Sequence, residues 1–455
     1  MAMDNNVIEC LKKCRVKNKD QRALDQFESM LRFYLSDSSG KVEFNKIQPL
    51  QPQDLVPYAL LDDDLESKGK EHLSNVAIIK LNGGLGTTMG LDTPKALVPV
   101  RGDKSFLDIT LQQLKTFNAT YGVSTPFYLM DSERTLSLTL DHIKDSYDVK
   151  HFSQHVFPRI NKETKLPLEL NQGLKEHEWC PPGHGDIFLS LECSGVLDEL
   201  LEKGVYYAFV SNGDNLGATL DLKMLGYMAE NNIDFLIETT PKTKADVKGG
   251  TVIRYQDRLT LLERVQVDDA HLSEFEDVVK FQIFNTNNIW VDLRALKQKC
   301  VEGTLDLPVM VNEKVVQGIG CVQLETAMGA AVSMFDNSVS VIVDRSRFMP
   351  VKKTSDLLVM RSDAVDSTDD GYINISSKRN PALLPLVSLS KDYESLDEFD
   401  ALFSELPSLV NCQDLTVQGG FSFKEGVQIS GSVVLKNESA EPVVLKEKHF
   451  NNETV

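Results

Sequence analysis

Positive charge is in deficit in this sequence: 48 Lys and Arg stand against 67 Asp and Glu, a formal net charge of −19 over 455 residues. Such a chain repels polyanions at long range, so nucleic acid and anionic membranes are poor partners, and a phosphate ligand needs a local cluster of cations. Paired cysteine motifs are missing as well. The seven cysteines, Cys10, Cys14, Cys180, Cys193, Cys300, Cys321 and Cys412, are odd in number and contain no C-x-x-C pair. That pattern argues against a disulfide framework or a zinc site and for reduced thiols in a cytoplasmic protein. No run approaches the ~20 apolar residues of a membrane helix, and the mixed, polar stretch from Met1 to Lys19 lacks the apolar centre of a signal peptide.

What is present is enough apolar residue, 42%, to bury a large core, and a length that suits two or three domains. Leu24, Phe27, Met30, Leu31 and Tyr34 recur near helical spacing, so one or two amphipathic helices are expected before Ser36, followed by a Pro-bearing connection over residues 48–57. Short apolar runs at 76–81, 96–100, 126–130, 205–210, 235–238 and 339–343 then alternate with helical patterns, which predicts a mostly parallel, Rossmann-like sheet covered on both faces. Ser105 with Asp108 predicts a capped helix start, and a second helix is expected over 220–231. After Ser408 the period changes to two, with Leu415, Val417, Ile429, Val433 and Leu435 punctuated by Gly419, Gly426 and Gly431. This reads as a small β-helix-like domain. The expected division is 1–60 helical, 61–370 catalytic and 371–455 C-terminal β, and a chain cut near Ser408 is expected to keep its ligand site.

The segment Asn82-Gly83-Gly84-Leu85-Gly86-Thr87-Thr88-Met89-Gly90 follows directly on an apolar strand. Glycines there let backbone N–H groups surround an anion, and the C-terminal edge of a parallel strand is where such sheets bind ligands. It is not a Walker A loop, because Gly90 is followed by Leu91 rather than Lys and Ser or Thr. Nor is it a dinucleotide fingerprint: the spacing is Gly84-x-Gly86-x-x-x-Gly90, and Pro94 would disrupt a continuous helix.

Gly83-Gly84-Leu85-Gly86-Thr87 followed by Pro94-Lys95 resembles the sugar-phosphate nucleotidyltransferases. Within them the form L-N-G-G-L-G-T-x-M-G is similar to the eukaryotic UTP:glucose-1-phosphate uridylyltransferases, or UDP-glucose pyrophosphorylases. Residues 181–186 (P-P-G-H-G-D), 211–217 (S-N-G-D-N-L-G), 284–290 (F-N-T-N-N-I-W), 323–329 (Q-L-E-T-A-M-G) and 345–352 (R-S-R-F-M-P-V-K) resemble that family's blocks in the same order. One departure stands out: many bacterial relatives carry Arg after the G-T, whereas this loop has Thr88 and Met89. Lys95 and Lys352 are then the candidates to cover the phosphates.

The resemblance implies transfer of a uridylyl group from UTP to glucose 1-phosphate, giving UDP-glucose and pyrophosphate. It implies Lys95 and Lys352 as the catalytic cations and Asp214 as a Mg²⁺ ligand. Nucleotide contacts fall to Leu81, Asn82, Gly83, Gly84, Lys95, Gln154, Gly183, His184, Asn212, Asp214 and Lys352. Sugar contacts fall to His184, Asn212, Gly213, Glu263, Asn285 and Asn287, with Asn285 against Asn287 left open. Rival readings are a UDP-sugar or UDP-N-acetylhexosamine pyrophosphorylase and a non-catalytic UTP sensor or scaffold. The C-terminal β rungs leave a homo-oligomer through edge pairing as a candidate assembly.

Overall fold

In the computed structural model, which describes residues 2–36, 38, 40–48, 50–144, 147–243, 246–380 and 383–455, the chain builds an eight-stranded central sheet and a C-terminal stack of parallel β coils. The sheet strands, in chain order, are β1 (Leu55–Pro57), β2 (Val76–Asn82), β3 (Phe127–Asp131), β4 (Lys150–Ser153), β5 (Tyr207–Asn212), β6 (Phe235–Pro241), β7 (Ile283–Asp292) and β8 (Ser338–Ile342). They lie in the order β1-β8-β6-β7-β5-β2-β3-β4. β7 runs antiparallel to both neighbours, and every other pairing is parallel.

Both faces are covered because alternate residues of one strand feed different cores. Ala77 and Ile79 of β2 pack with Ala208 and Val210 of β5 and with Leu191, Leu197 and Leu200 of the helices Ile187–Cys193 and Val196–Glu202. Val76 and Ile78 face the other way, against Phe209, Leu107 and Leu111 of the helix Phe106–Tyr121, and Met224 and Met228 of the helix Leu222–Asn231. Strands buried on both sides must be apolar almost throughout, which is why they are visible as continuous runs.

The caps are as expected. Asp108 N donates to Ser105 Oγ at 3.1 Å, Ser105 N donates to Asp108 Oδ2 at 2.8 Å, and the helix ends at Gly122 in the left-handed region. Two N-terminal helices, Ala2–Cys14 and Gln21–Leu35, lay Leu24, Phe27 and Leu31 against Phe157, Ile160 and Val322.

Residues 96–100, expected as a sheet strand, instead form a tight turn (Lys95–Leu97) and a short hairpin of Pro99–Arg101 with Lys104–Ser105. Lys95 N donates to Gly84 O at 3.1 Å, so the segment folds back onto the glycine loop, and Pro99 has no N–H for an interior ladder.

The C-terminal strands are β9 (Leu386–Leu389), β10 (Ser408–Gln418), β11 (Phe421–Phe423), β12 (Gln428–Lys436), β13 (Val443–Leu445) and β14 (His449–Asn451). They form two parallel sheets, β9-β10-β12-β14 and β11-β13, a β-helix-like arrangement. Leu415, Val417, Ile429, Val433 and Leu435 fill its interior, and the same cluster takes in Met89 from the glycine loop and Met349, Val351, Leu357 and Leu358 from around the Lys352 segment.

This shared core bears on the expectation that the ligand site is independent of the β coils, because residues of both pack in one cluster. A chain ending at Pro407 loses Leu409, Leu415, Val417, Phe421, Phe423 and Ile429 from the cluster that also holds Met349 and Val351, each such burial being worth about 1.5–3 kcal/mol. Such a truncation is expected to weaken ligand binding at the glycine loop and lower the thermal midpoint, read by calorimetry on both chains.

Candidate functional site

The glycine loop leaves β2 at Asn82 and is stitched shut by backbone bonds. Gly86 N donates to Thr93 O at 3.0 Å and Leu91 N to Gly86 O at 3.1 Å, while Lys95 N is held on Gly84 O. At Gly83 a Cβ would come within 2.7 Å of the Gln154 amide, so only glycine lets that amide lie against the backbone; a Cβ at Gly84 would stand in open space.

That open space is a cavity of about 450 Å³. Leu81, Asn82, Gly83, Gly84, Lys95, Gln154, Gly183, His184, Asn212, Gly213, Asp214 and Lys352 all line it. Residues from five separate stretches of sequence thus meet because β2, β4 and β5 all end at the same edge of the sheet. Asn82 opposes Asp131 in register, and Asn212 opposes Leu81.

Beside the cavity, buried polar groups are paired with one another. Asn82 Nδ2 donates to Asp131 Oδ1 at 2.6 Å and to Thr139 Oγ1 at 2.9 Å, and His151 Nδ1 pairs with Asp131 Oδ2 at 2.7 Å. This fixes the Asn82 amide and leaves its buried Oδ1 without a partner among the described residues. Such an acceptor suits a ligand donor, since an unmet buried polar atom costs about 1–3 kcal/mol. Asp186, buried, accepts from His155 N at 2.7 Å, His155 Nδ1 at 2.9 Å and Ser190 Oγ at 2.7 Å. It ties the stretch carrying Gln154 to the loop carrying Gly183 and His184. Gly183 sits at φ 82°, where a Cβ would come 2.3 Å from Thr326 O, so the close approach of the loop to the 323–329 block requires glycine at this position.

Two cations, Lys95 and Lys352, line the same cavity. Lys95 Nζ donates to Asp214 Oδ2 at 2.5 Å. Lys352 makes no ion pair among the described residues, and Thr88 Oγ1 donates to its carbonyl at 2.6 Å. The other cations of its segment are committed: Arg345 forks onto Asp246 at 2.6 and 3.0 Å, and Arg347 onto Glu238 at 2.8 and 2.6 Å. Glu238 is fully buried and also accepts from Trp290 Nε1 at 2.9 Å and Asn288 Nδ2 at 3.0 Å. Burial, the largest influence, would raise its pKa, and the Arg347 charge together with the hydrogen bonds from Arg347, Trp290 and Asn288 overcomes it and holds the carboxyl below the usual range. Arg347 O accepts from Asn215 Nδ2 at 3.0 Å, and Met349 N donates to Asn215 Oδ1 at 3.0 Å, so one network fixes the Asp214 turn and the Lys352 segment together.

Of the expected sugar set, His184, Asn212 and Gly213 line the cavity, while Glu263, Asn285 and Asn287 do not line it and stand directly beside it. Asn287 Nδ2 donates to Asn212 Oδ1 at 3.3 Å and lies 3.4 Å from His184 Nε2; among the described residues the Asn285 side chain bonds Asn287, accepting its N–H at 2.9 Å and donating to its Oδ1 at 3.4 Å. Asn287 has φ 62° where β6 and β7 slip register, a bulge that turns its side chain out of the ladder. Asn285 N donates to Gly250 O at 2.9 Å, and a Cβ at Gly250 would meet the Glu263 carboxylate, so these groups are contiguous. Burial pushes the Glu263 carboxyl up to about 7, with the Lys352 charge opposing. Burial also pushes the His184 imidazole down to about 4. Its Nδ1 accepts from Met328 N at 3.0 Å, which leaves the proton of the neutral ring on Nε2.

Asp131, Asp186, Asn215 and Glu238 escape a sequence reading. The first and last look like ordinary strand ends, and only Asp186 and Asn215 lie within recognisable blocks, where glycines and neighbouring charged residues draw attention first. Among the described residues no three His, Cys, Asp or Glu side chains gather to hold a metal ion, so Asp214 is a lone carboxylate at the cavity. No helix among them is long and apolar enough to cross a membrane.

Comparison with known proteins accords with this geometry. The family model described as UTP--glucose-1-phosphate uridylyltransferase matches residues 24–430. The UTP--glucose-1-phosphate uridylyltransferase of Solanum tuberosum is 40% identical over 420 residues, covering 91% of this chain and 88% of its own. That of Encephalitozoon cuniculi is 41% identical over 430 residues, 94% of this chain and 86% of its own. Among solved structures, a UDP-glucose phosphorylase of Trypanosoma brucei superposes with a TM-score of 0.92 at 36% identity, covering 99% of both chains. A mutant UDP-glucose pyrophosphorylase of Leishmania major in complex with UDP-glucose gives 0.90 at 35%, again over 99% of both.

The buried pair yields a test. Removing one member strands a charge and is expected to cost about 3–5 kcal/mol, whereas removing both together costs less. In urea unfolding, Glu238→Leu and Arg347→Leu should each be less stable than the double variant. Additive losses in the double variant would dismiss the pair as the organising contact.

Proposed function

Because the chain belongs to the UTP--glucose-1-phosphate uridylyltransferase family, we propose that its glycine-loop cavity grips UTP and that Lys95 and Lys352 carry the transfer. The reaction moves the uridylyl group of UTP to glucose 1-phosphate, giving UDP-glucose and pyrophosphate. It exchanges one phosphoanhydride for another and is therefore reversible. The observation that carries the assignment of roles is that Lys95, paired with Asp214, and Lys352 line the same cavity as Asn82 and Gln154.

An oxygen of the glucose 1-phosphate attacks the α-phosphorus of UTP in line; the bond to the β-phosphate oxygen breaks, and pyrophosphate leaves with that electron pair. The nucleophile is already ionised, so the site needs positioning and charge neutralisation rather than a strong base. The uracil and ribose fall to Leu81, Asn82, Gly83, Gly84, Gln154, Gly183 and His184. Lys95 neutralises charge that builds on the α-phosphoryl oxygens, and Lys352 bridges the two phosphates. Asp214 fits Mg²⁺, which takes one or two carboxylates and otherwise substrate phosphates; bound there, the ion would supply charge stabilisation to the phosphate chain.

Glucose falls to His184 Nε2–H, Asn212, Gly213, Glu263, Asn285 and Asn287, with Asn287 the nearer of the two asparagines because it contacts Asn212. We assign 1–60 to the N-terminal helical segment, which also lends β1 to the sheet, 61–370 to catalysis and 371–455 to the C-terminal β coils. The free cysteines suit the cytoplasm, and the exposed Val443 and Val444 on β13 are where a second copy would pair.

Pyrophosphate release should be fast with UTP, Mg²⁺ and glucose 1-phosphate and slow with N-acetylglucosamine 1-phosphate. The reverse preference would change the sugar, and silence with intact UTP binding would make the protein a sensor. In the same assay Lys95→Ala is expected to lower kcat by about 10²–10³, the usual effect of losing one transition-state donor, with UTP binding retained. The raised Glu263 carboxyl is neutral below pH about 7 and ionised above it. The KM for glucose 1-phosphate should therefore shift across that pH in the native protein, and Glu263→Gln should remove that component of the profile.

A further inference from the structure

At the opposite edge of the sheet, where β3 and β4 begin, a second cavity of about 470 Å³ opens between the helix Phe106–Tyr121 and the helix Val196–Glu202. It is as large as the nucleotide cavity, no residue lines both, and its volume lies in the range of small-molecule sites, roughly 300–1,000 Å³. One wall is apolar, with Leu111, Leu114, Phe127 and Leu200. In that wall stands Thr125, only 5% exposed, whose Oγ1 is buried and without a hydrogen-bond partner among the described residues. A protein that leaves a hydroxyl unmet there loses free energy that a ligand's polar atom would restore.

The rim is basic. Lys150 Nζ and Lys203 Nζ both donate to Glu199 Oε1 at 2.5 Å, and Tyr128 OH donates to the same oxygen at 3.5 Å. That carboxylate oxygen marks a point at which two ammonium groups already converge on an anion. Lys115 adds a third cation to the lining and pairs with no carboxylate among the described residues. Three lysines against Glu199 and Asp148 make a local excess of positive charge on a chain of net charge −19, the condition a phosphate needs on such a surface.

We propose that this cavity is a second ligand site, taking a phosphate monoester that carries an aromatic or apolar group. The ring lies against Leu111, Leu114 and Phe127, the phosphate sits on Lys150 and Lys203, and Thr125 bonds a polar atom of the ligand. The site does not rest on the roles assigned to the nucleotide cavity.

The test uses the full chain saturated with UDP-glucose, so that the first cavity is filled, and titrates phenyl phosphate by calorimetry with inorganic phosphate and phenol alongside. One further site for phenyl phosphate is expected, tighter than for either control. Lys150→Met with Lys203→Met should weaken it by at least about tenfold, as for lost charged hydrogen bonds, and the near-isosteric Thr125→Val by about threefold. UDP-glucose affinity, unchanged in every variant, shows that each is folded and that the first cavity is intact. Absence of binding in the UDP-glucose complex, equal binding by the variants, or inorganic phosphate binding as tightly as phenyl phosphate would each overturn the proposal.

Discussion

Glu238 is a carboxylate placed where no water reaches, in the middle of the sheet, and it is tolerable only because Arg347, Trp290 and Asn288 supply donors to both of its oxygens. The cost of burying a charge makes the partners obligatory. Arg347 is therefore not available to phosphates, although it sits in a basic segment next to the site. Its carbonyl, held in place by the same pairing, receives Asn215, and Asn215 in turn receives Met349. The spacing between the Asp214 turn and Lys352 follows from that chain of bonds. Thr88 completes it from the other side by donating to the Lys352 carbonyl.

The direction of the strands decides which residues meet. β2, β3, β4 and β5 run parallel, so Asn82, Asp131, Ser153 and Asn212 end at one edge and the residues after them reach the cavity. β7 runs the other way, and for that reason it contributes from its first half: Asn285 pairs with Thr239, and Ile289 with Val210. The bulge between those pairs re-aims Asn287 toward Asn212 and His184. An antiparallel strand in the centre of a parallel sheet thus delivers amides to an edge that otherwise carries loops.

Burial divides the titratable groups into two kinds. Glu238 and Asp186 are buried but satisfied by charged or multiple donors and act as fixed struts. Glu263 and His184 are half-buried with little charge to compensate, so desolvation drives both toward their neutral forms, the carboxyl upward and the imidazole downward. Groups of the second kind are those whose hydrogen-bonding character a ligand can exploit.

The sequence by itself determined the local elements and the identity of the polar residues: doubly buried strands announce themselves as continuous apolar runs, Ser105 and Asp108 cap their helix through contacts three residues apart, and the glycine loop is visible because its spacing is short-range. Most lining residues were legible because they lie in blocks of glycines and amides, whereas Gln154 lies in no such block and was reached only through the family resemblance. Tertiary structure decided what those blocks do to one another. The segment at 96–100 became a turn because Gly84 O lies above it, a contact no periodicity reveals. The β coils share a core with Met89 and Met349 because packing, unlike pattern, is not confined to neighbours in the chain. Asn287 rather than Asn285 contacts Asn212 because a register slip turns it outward, and Glu238 holds Arg347 across 109 residues. Such long-range pairings are settled by which groups can be buried together without leaving a charge or a hydrogen bond unmet, and that is a property of the folded whole.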